Sequence, residues 1–250
     1  MNDDYIFLIT TYNCHRYIDN CISSLLTQKD KNFGILFMDD ASTDGTVERI
    51  RAIMSNQSIN YIIHSNETRT RSAAWNQRKA VLKYVKNPNS QICILDGDDE
   101  LMDDDAFNRI KSAEGLSRRK YEAGVLGFKG RLPSREVNIG LYRFEEPYHM
   151  RYFNAWLYKA VPESTYYRDG EMIKAASDIA FIMPVIQLLN KDFGMCNLKV
   201  YIWNNHLGSH NDHFIRLGEQ RSNLEYVLTR DKMKPLTKEQ IQEIKDNWDT

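Results

Sequence analysis

The stretch ILFMDDASTDGT, residues 35–46, decides the fold class of this chain because an apolar strand runs directly into two adjacent carboxylates. Ile35 to Met38 have the character of a buried strand, and Asp39 and Asp40 follow at once. A buried sheet has little reason to present paired acids, whereas ligands of open parallel sheets collect beyond the carboxyl ends of the strands. The stretch therefore predicts a strand that ends at a binding site.

Further strands and helices alternate on both sides of this stretch. Apolar runs predict strands at residues 5–10, 33–38, 61–64 and 91–95. The segments between them carry apolar residues at the helical period of 3.6. This alternation indicates an α/β fold with a mostly parallel central sheet flanked by helices on both faces.

The pattern changes after about residue 105. The elements expected there are a short helix around Phe107 and Ile110, antiparallel strands at 124–130 and 137–143, a helix from about Met172 to Asn190 bent at Pro184, and a strand at 198–203. Apolar residues spaced along 211–250 predict a polar, helical C-terminal tail. We therefore expect one domain over residues 1–209, in halves 1–105 and 106–209, followed by the tail at 210–250.

Composition narrows the range of functions. The 33 basic residues are matched by 34 acidic ones, so the chain has no broad basic field for nucleic acid. The four cysteines show no C-x-x-C spacing, which favours free thiols in a reducing cytoplasm. The start lacks the basic residues of a secretory signal, and the longest apolar run, residues 179–189, is too short for a membrane span. A cytoplasmic protein with no integral membrane segment is expected.

A second acidic strand end is ICILDGDDEL, residues 92–101. Asp96, Asp98 and Asp99 follow an apolar strand within four residues, and such close carboxylates repel one another unless a cation balances them. Mg²⁺ and Mn²⁺ prefer oxygen ligands, and Mg²⁺ is commonly held by one or two carboxylates together with phosphate oxygens and water. This cluster predicts a divalent metal beside a diphosphate.

Other motif classes fit the sequence poorly. The segment DASTDG, residues 40–45, begins like a calcium loop, but Arg51 occupies the twelfth position where a bidentate Glu belongs. Neither G-x-G-x-x-G after the first strand nor G-x-x-x-x-G-K-[ST] is present. A zinc site from His206 and His210 is disfavoured because Gly208 interrupts the helix that would align them.

Three segments together resemble the family 2 glycosyltransferases of the GT-A fold. They are T-T-Y-N at residues 10–13, M-D-D-A-S-T-D-G-T at 38–46 and L-D-G-D-D-E at 95–100. In that family these positions are the first-strand signature, the nucleotide-binding loop and the D-x-D metal motif. The resemblance extends over about residues 5–105 and more loosely to Asp178 and Ser209.

The resemblance implies a nucleotide-sugar donor, with UDP as the default nucleotide, and Mn²⁺ or Mg²⁺ as cofactor. The implied donor-binding residues are Thr10, Thr11, Tyr12, Asn13, Asp39, Asp40, Arg71, Asp96, Gly97 and Asp98. The implied metal ligands are Asp98, Asp99 and His206, with Ser209 near a phosphate. Residues 1–105 would then be the nucleotide-sugar-binding half and residues 106–209 the acceptor-binding half.

The segment NETRTRSAAWNQ, residues 66–77, departs from the family pattern. Asn66, Ala74 and Asn76 fit it, but arginines stand where family members usually carry small residues, and Trp75 replaces an arginine. Arg71 is a candidate partner for the base or a phosphate, since guanidinium groups pair readily with phosphate. A solvated, basic helix start is the alternative.

An acceptor hydroxyl needs a base to remove its proton during an inverting transfer. Asp178 is the candidate, because the family commonly places an acid at the head of a helix here. Its alternative role is that of an ordinary acid at a helix start. Glu163 and Glu171 are reserve candidates.

The acceptor is expected to be a hydroxyl of a glycan or glycoconjugate. A basic cluster in the acceptor half leaves a hydroxymethylated base in DNA as a further possibility, which would require base flipping. Its members are Arg118, Arg119, Lys120, Lys129, Arg131 and Arg135. A non-catalytic nucleotide-sugar-binding module and a nucleotidyltransferase are the alternatives of another class.

Overall fold

A computed structural model describes residues 1–118, 151–189, 200–202 and 217–248 of the chain. The central strands are β1 (Tyr5–Thr11), β2 (Gly34–Asp39), β3 (Tyr61–Ser65), β4 (Gln91–Asp96) and, after a two-residue β5 (Glu100–Leu101), β6 (Arg151–Asn154). Their spatial order is β3-β2-β1-β4-β6. All neighbours are parallel except β6, which runs antiparallel to β4. The predicted mostly parallel sheet is thus confirmed.

Helices cover both faces of this sheet. They are α1 (Ile18–Leu26), α2 (Thr46–Met54), α3 (Ala73–Tyr84), α4 (Ala106–Arg118), α5 (Trp156–Ala160), α6 (Ser177–Leu189), α7 (Leu217–Thr229) and α8 (Lys238–Asp246). Side chains alternate along each strand, so Phe7 and Phe37 pack with α1, α2 and α4, whereas Leu8 and Leu36 pack with α3, α5 and α6. The two apolar cores hold the sheet in place, and its strand ends are therefore fixed relative to each other.

A hairpin stands where the sequence predicted the start of the long helix. Strands β7 (Tyr167–Arg168) and β8 (Glu171–Met172) pair antiparallel across Asp169 and Gly170. Both loop residues have positive φ, 52° and 83°, as a two-residue hairpin turn requires. The prediction that the helix begins near Met172 is therefore wrong; α6 begins at Ser177, directly after Ala176 at φ 56°.

The C-terminal region contains two helices with a non-helical segment between them, residues 230–237. At its end, the indole N–H of Trp248 donates to the carbonyl of Val85 at 3.0 Å, which attaches this region to the sheet domain. The predicted strands at 124–130 and 137–143, and the predicted boundary at 209, lie outside the described residues. In the part of the chain that is described, no helix combines the length and apolarity needed to cross a bilayer.

Candidate active site

The two acidic strand ends meet on either side of β1. In the strand register Thr10 lies opposite Asp96 of β4, and Thr11 lies opposite Asp39 of β2. The Thr10 hydroxyl donates to Asp96 Oδ1 at 3.0 Å, and the Thr11 hydroxyl donates to Asp39 Oδ1 at 2.9 Å. Because β2 and β4 lie on either side of β1, this pair of threonines connects β1 to both acidic strand ends.

Asp39 is fully buried and organises the loop after β2. Besides the Thr11 hydroxyl, it accepts the main-chain N–H of Ser42 at 2.9 Å and the hydroxyl of Ser65 at 2.8 Å. These donors stabilise a carboxylate in a place where water does not reach it. Asp39 is enclosed by the loop that its hydrogen bonds stabilise. Its contact with a nucleotide-sugar donor stays a prediction.

Asp40 is 7% exposed and is bound by the segment that precedes α3. The main-chain N–H of Thr70 and the amide of Asn66 donate to Oδ1 at 2.8 and 3.0 Å, and the main-chain N–H of Arg71 donates to Oδ2 at 2.8 Å. Burial by itself raises the pKa of Asp40, but these donors and the Asn76 amide lower it by more, so the pKa lies below its usual value. Asp40 is thus a fixed negative charge.

Gly97 allows β1 and the loop after β4 to come close together. Its main-chain N–H donates to the carbonyl of Thr10 at 2.9 Å. A Cβ at this position would lie 2.7 Å from Thr11 Cγ2 and 3.0 Å from Cys14 Sγ. Only glycine fits where the two segments come this close. Gly97 would therefore contribute to donor binding by shaping the backbone of the loop.

The last acid of this loop is buried. Asp99 is 2% exposed, and its Oδ2 accepts a hydrogen bond from the hydroxyl of Tyr201 on β9 (Tyr201–Ile202), the strand that pairs with β5. Burial, and then the nearby charges of Asp96 and Asp99, raise the pKa of Tyr201 well above its usual value. Tyr201 therefore stays protonated and donates to Asp99.

Acids from both strand ends line one cavity of about 200 Å³. Its walls are formed by Thr10, Thr11, Tyr12, Met38, Asp40, Arg69, Arg71, Ala73, Asn76, Asp96 and Asp98. The structure thus brings together most of the predicted donor-binding residues. Asn13, Asp39 and Gly97 are not among the residues that line it.

Two arginines, Arg69 and Arg71, line the same cavity as these acids. The Arg69 guanidinium lies over the Tyr12 ring, 3.4 Å from its centroid, which is the geometry of a cation–π contact. No sequence pattern indicates this pair; Arg69 is one of the two arginines in residues 66–77 that depart from the family pattern. Asn13, Ala41 and Arg71 have φ of 49°, 62° and 63°. Such strained backbone is retained where the surrounding contacts determine it, which is common at functional sites.

Asp178 is the second residue of α6 and pairs with a cation that the sequence analysis did not identify. Arg151 Nη2 lies 2.8 Å from Asp178 Oδ2, and the Asp178 side chain is 41% exposed. Arg151 is paired with Ile94, two residues before Asp96. The main-chain N–H of Ala74 donates to the hydroxyl of Ser177 at 3.4 Å. These contacts attach the head of α6 to α3 and to β6, the strand that pairs with β4; α3 and β4 both supply residues to the cavity.

Several predicted residues fall elsewhere. His206, Ser209 and the basic cluster apart from Arg118 lie outside the described residues. Within those residues, no group of three or more His, Cys, Asp or Glu side chains is arranged to hold a metal. Glu163 lies on a separate groove and Glu171 is exposed on β8.

Asp96 and Asp98 supply carboxylates to the cavity wall. These two carboxylates fit a cation whose remaining ligands are phosphate oxygens and water.

The profile of the family described as "Glycosyl transferase family 2" matches residues 6–165. The chain belongs to this family. The match includes both acidic strand ends, Arg151 and β6. A relative in sequence, the putative glycosyltransferase EpsE of Bacillus subtilis (strain 168), is 38% identical over 63 residues, 25% of this chain and 23% of that protein. The alignment thus spans less than a quarter of the length of EpsE.

Solved structures resemble this family 2 chain over nearly its whole length. Fragment 1–349 of S. aureus TarS has a TM-score of 0.61 at 19% identity, covering 98% of this chain and 69% of that one. The mannosyltransferase PcManGT from Pyrobaculum calidifontis, solved with GDP-Man and Mn²⁺, has a TM-score of 0.66 at 15% identity, covering 94% and 66%. At these identities the likeness establishes the fold, and the predicted GT-A fold is confirmed.

Proposed function

We propose that this chain is a metal-dependent, inverting glycosyltransferase that moves a sugar from a nucleotide-diphosphate sugar, a UDP-sugar by preference, to an acceptor hydroxyl. The observation that carries the proposal is the shared cavity, which is lined by Asp40, Asp96 and Asp98 together with Arg69 and Arg71. Family membership supports it. A TarS structure was solved with UDP-GlcNAc and PcManGT with GDP-Man, and both support a nucleotide-sugar donor.

The first half of the proposed site binds the nucleotide. Thr11, Tyr12 and Asp40 would surround the base and ribose, and Arg71 would pair with the base or a phosphate. Asp40 Oδ2 accepts the Arg71 N–H, and a carboxylate oxygen has capacity for a further donor, such as an imide or a sugar hydroxyl. The low pKa of Asp40 keeps it an acceptor throughout the neutral pH range.

The second half of the proposed site holds the diphosphate. Asp98 would bind the cation from the cavity wall, Asp99 is the second proposed ligand, and Asp96 would support them or contact the donor. When bound, Mn²⁺ or Mg²⁺ supplies positive charge that offsets the charge developing on the departing nucleoside diphosphate. His206 stays a proposed third ligand.

Asp178 is the proposed general base. Its carboxylate would accept the proton of the acceptor hydroxyl while that oxygen bonds to the anomeric carbon and the nucleoside diphosphate leaves from the opposite face. Arg151 would orient the carboxylate at 2.8 Å. The acceptor is proposed to be a glycan or glycoconjugate.

Because Cys14, Cys21 and Cys93 are buried free thiols, we propose that the protein acts in the cytoplasm.

Two variants test this division of roles. We expect Asp98→Ala to abolish the Mn²⁺-dependent part of donor binding, as measured by calorimetry. We expect Asp178→Asn to leave the donor Kd unchanged and to lower kcat by about 10²–10⁴-fold. Asp178→Asn keeps an oxygen for Arg151, so the head of α6 should remain folded. Asp231→Asn, at an exposed position of the C-terminal region, is the matched control.

Other outcomes would replace the proposal. Normal donor affinity in Asp98→Ala would remove the metal assignment, and full turnover in Asp178→Asn would remove the base. Donor binding without transfer or hydrolysis in the native chain would indicate a binding module. Release of pyrophosphate instead of nucleoside diphosphate would identify a nucleotidyltransferase. Thermal-shift screening against UDP, GDP, CDP and TDP sugars, with and without Mn²⁺, would name the donor because a ligand that binds only the native state raises Tm.

A further inference from the structure

A second groove of about 450 Å³ lies beside the candidate active site, along α3. Its walls are formed by Met38, His64, Trp75, Arg78, Lys79, Ala80, Leu82, Lys83, Tyr84 and Glu163. Its volume is within the range of about 300–1,000 Å³ that ligand pockets occupy. None of the roles assigned above uses it.

Positive charge is concentrated in this groove. Lys79 and Lys83 lie one helical turn apart and are exposed, and in the residues that the structure describes neither forms an ion pair. By contrast, Lys29 is paired with Asp104 at 3.1 Å. Arg78 adds a fixed charge, because its guanidinium donates to the carbonyl of Val161 at 2.7 Å. The groove is therefore suited to an anion.

The pKa of His64 reflects the positive charge in the groove. Burial is the first cause that lowers the pKa of His64, and the charges of Lys83 and Lys79 lower it further. Glu163, the acid among the groove residues, is exposed. A bound anion would oppose the two lysines and raise the pKa of His64.

Flat side chains and hydrogen-bonding groups accompany the charges. Trp75 and Tyr84 line the groove, and the Tyr84 hydroxyl lies 2.8 Å from His64 Nδ1. The Lys83 ammonium is 5.1 Å from the centroid of the Tyr84 ring. Aromatic rings present broad apolar faces with a polar edge, and such faces suit the C–H surface of a sugar ring. Inorganic phosphate would use the cations but not the rings.

We propose that this groove binds an anionic saccharide, with its carboxylate or phosphate between Lys79 and Lys83 and its ring beside Trp75 and Tyr84. The groove is next to the candidate active site, because Met38 lines both cavities and Asn76, which lines the donor cavity, follows Trp75 on α3. The saccharide has two possible sources: it is part of the acceptor, or it is a separate effector. Binding at the groove is measurable whether or not the chain transfers sugar, so the test does not depend on the function proposed above.

The test uses glucuronate and glucose 6-phosphate as probes, with glucose and inorganic phosphate as comparisons. NMR titration of the full chain should show saturable shifts of the Trp75 indole and the His64 ring with both anionic sugars, and the pKa of His64 should rise. Lys79→Gln combined with Lys83→Gln should weaken binding at least tenfold, while Lys31→Gln, an exposed lysine before β2, should leave it unchanged. The substituted side chains are exposed, so the variant should fold.

The proposal would be overturned by the absence of a saturable shift at Trp75 and His64, by equal binding of uncharged glucose, or by equal binding of inorganic phosphate, which would indicate a general anion patch. Unchanged binding in the double variant would also overturn it. If binding is found, the two sources separate in a transfer assay with the donor. Attachment of the transferred sugar to the probe identifies an acceptor, and a changed rate on another acceptor without attachment identifies an effector.

Discussion

The acids after β2 and the acids after β4 look alike in sequence, but they have different surroundings in the structure. Asp39 and Asp40 accept hydrogen bonds from main-chain N–H groups, hydroxyls and amides of three separate segments. Asp96 instead accepts the Thr10 hydroxyl, and Asp98 forms part of the cavity wall. Asp39 and Asp40 thus hold the loops around the cavity, and Asp40 also lines it, whereas Asp96 and Asp98 are the acids of its wall that we propose lie beside a cation.

This difference shows that an acidic strand end can have two physical roles. A carboxylate bound by several main-chain donors keeps its charge through the protein's own dipoles and acts mainly on local structure. A carboxylate on a cavity wall, close to other acids, has its charge balanced best when a cation is bound. Variants on the β2 side should therefore affect stability without regard to metal, and variants on the β4 side should affect metal-dependent binding.

The largest effect on stability is expected for Asp40→Asn. Both carboxylate oxygens accept a main-chain N–H, from Thr70 and from Arg71, so either orientation of the new amide would place its NH₂ group against a donor. Loss of charged hydrogen bonds and a buried unpaired donor should lower the free energy of unfolding by about 3 kcal/mol. Chemical denaturation with and without Mn²⁺ measures this, and the loss should be the same in both.

The pH dependence gives Asp40 a further signature. Its pKa is lowered in the folded protein from an ordinary value of 3.8, so its stabilisation is present above that value and is lost as the pH falls through the folded pKa. The difference in the free energy of unfolding between the native chain and Asp40→Asn should be constant above about pH 5 and shrink below about pH 4. Asp231→Asn should show no such difference at neutral pH. If Asp40→Asn lowered the free energy of unfolding only when Mn²⁺ is added, the proposed difference between the two strand ends would be wrong.

A smaller effect on stability, combined with an effect on binding, is expected for Gly97→Ala. The added methyl group would meet Thr11 Cγ2 at 2.7 Å and push the loop after β4 away from β1. Such overpacking should cost about 2 kcal/mol of stability, and it should weaken Mn²⁺-dependent donor binding because Asp96 and Asp98 move with the loop. Calorimetry and denaturation of the same sample measure both effects.

Gly218→Ala is the control for this substitution. Gly218 lies in α7, where an added Cβ meets nothing within 4 Å, so alanine should raise stability by up to about 1 kcal/mol. If Gly97→Ala were as well tolerated as Gly218→Ala, the close approach of β1 and the β4 loop would not matter for the site.

Much of this arrangement follows from the sequence, because the period of the apolar residues determines it. Parallel strands end at the same edge of a sheet. The strand–helix alternation therefore predicts that the acids at residues 39–40 and 96–99 lie at one edge. Which acid lines the cavity and which is buried could not be predicted, since this depends on the facing of single residues at strand ends. The pairing of Arg69 with Tyr12 likewise depends on the course of a loop.

The errors have particular causes. The Asp169–Gly170 pair is a strong hairpin signal, but Met172 and the residues after it were assigned to the following helix, so the predicted start of α6 is too early. Arg151 and Asp178 are 27 residues apart, and their contact depends on the antiparallel register of β6, which no local pattern encodes. Long-range pairs of this kind are the part of the candidate site that sequence reasoning misses.

The smallest effect on stability, and the sharpest test of the comparison, is expected for Tyr201→Phe. The substitution removes the hydroxyl that donates to the buried Asp99, which should cost about 1.5 kcal/mol. If Asp99 is a metal ligand, Tyr201 is the group that orients it, and loss of such a partner should weaken Mn²⁺ binding by about 10–100-fold. Denaturation and Mn²⁺ titration measure the two effects separately. A loss of stability with unchanged Mn²⁺ affinity would instead group Asp99 with the acids after β2, as a buried residue that shapes the loop, and would leave Asp98 as the described acid assigned to the cation.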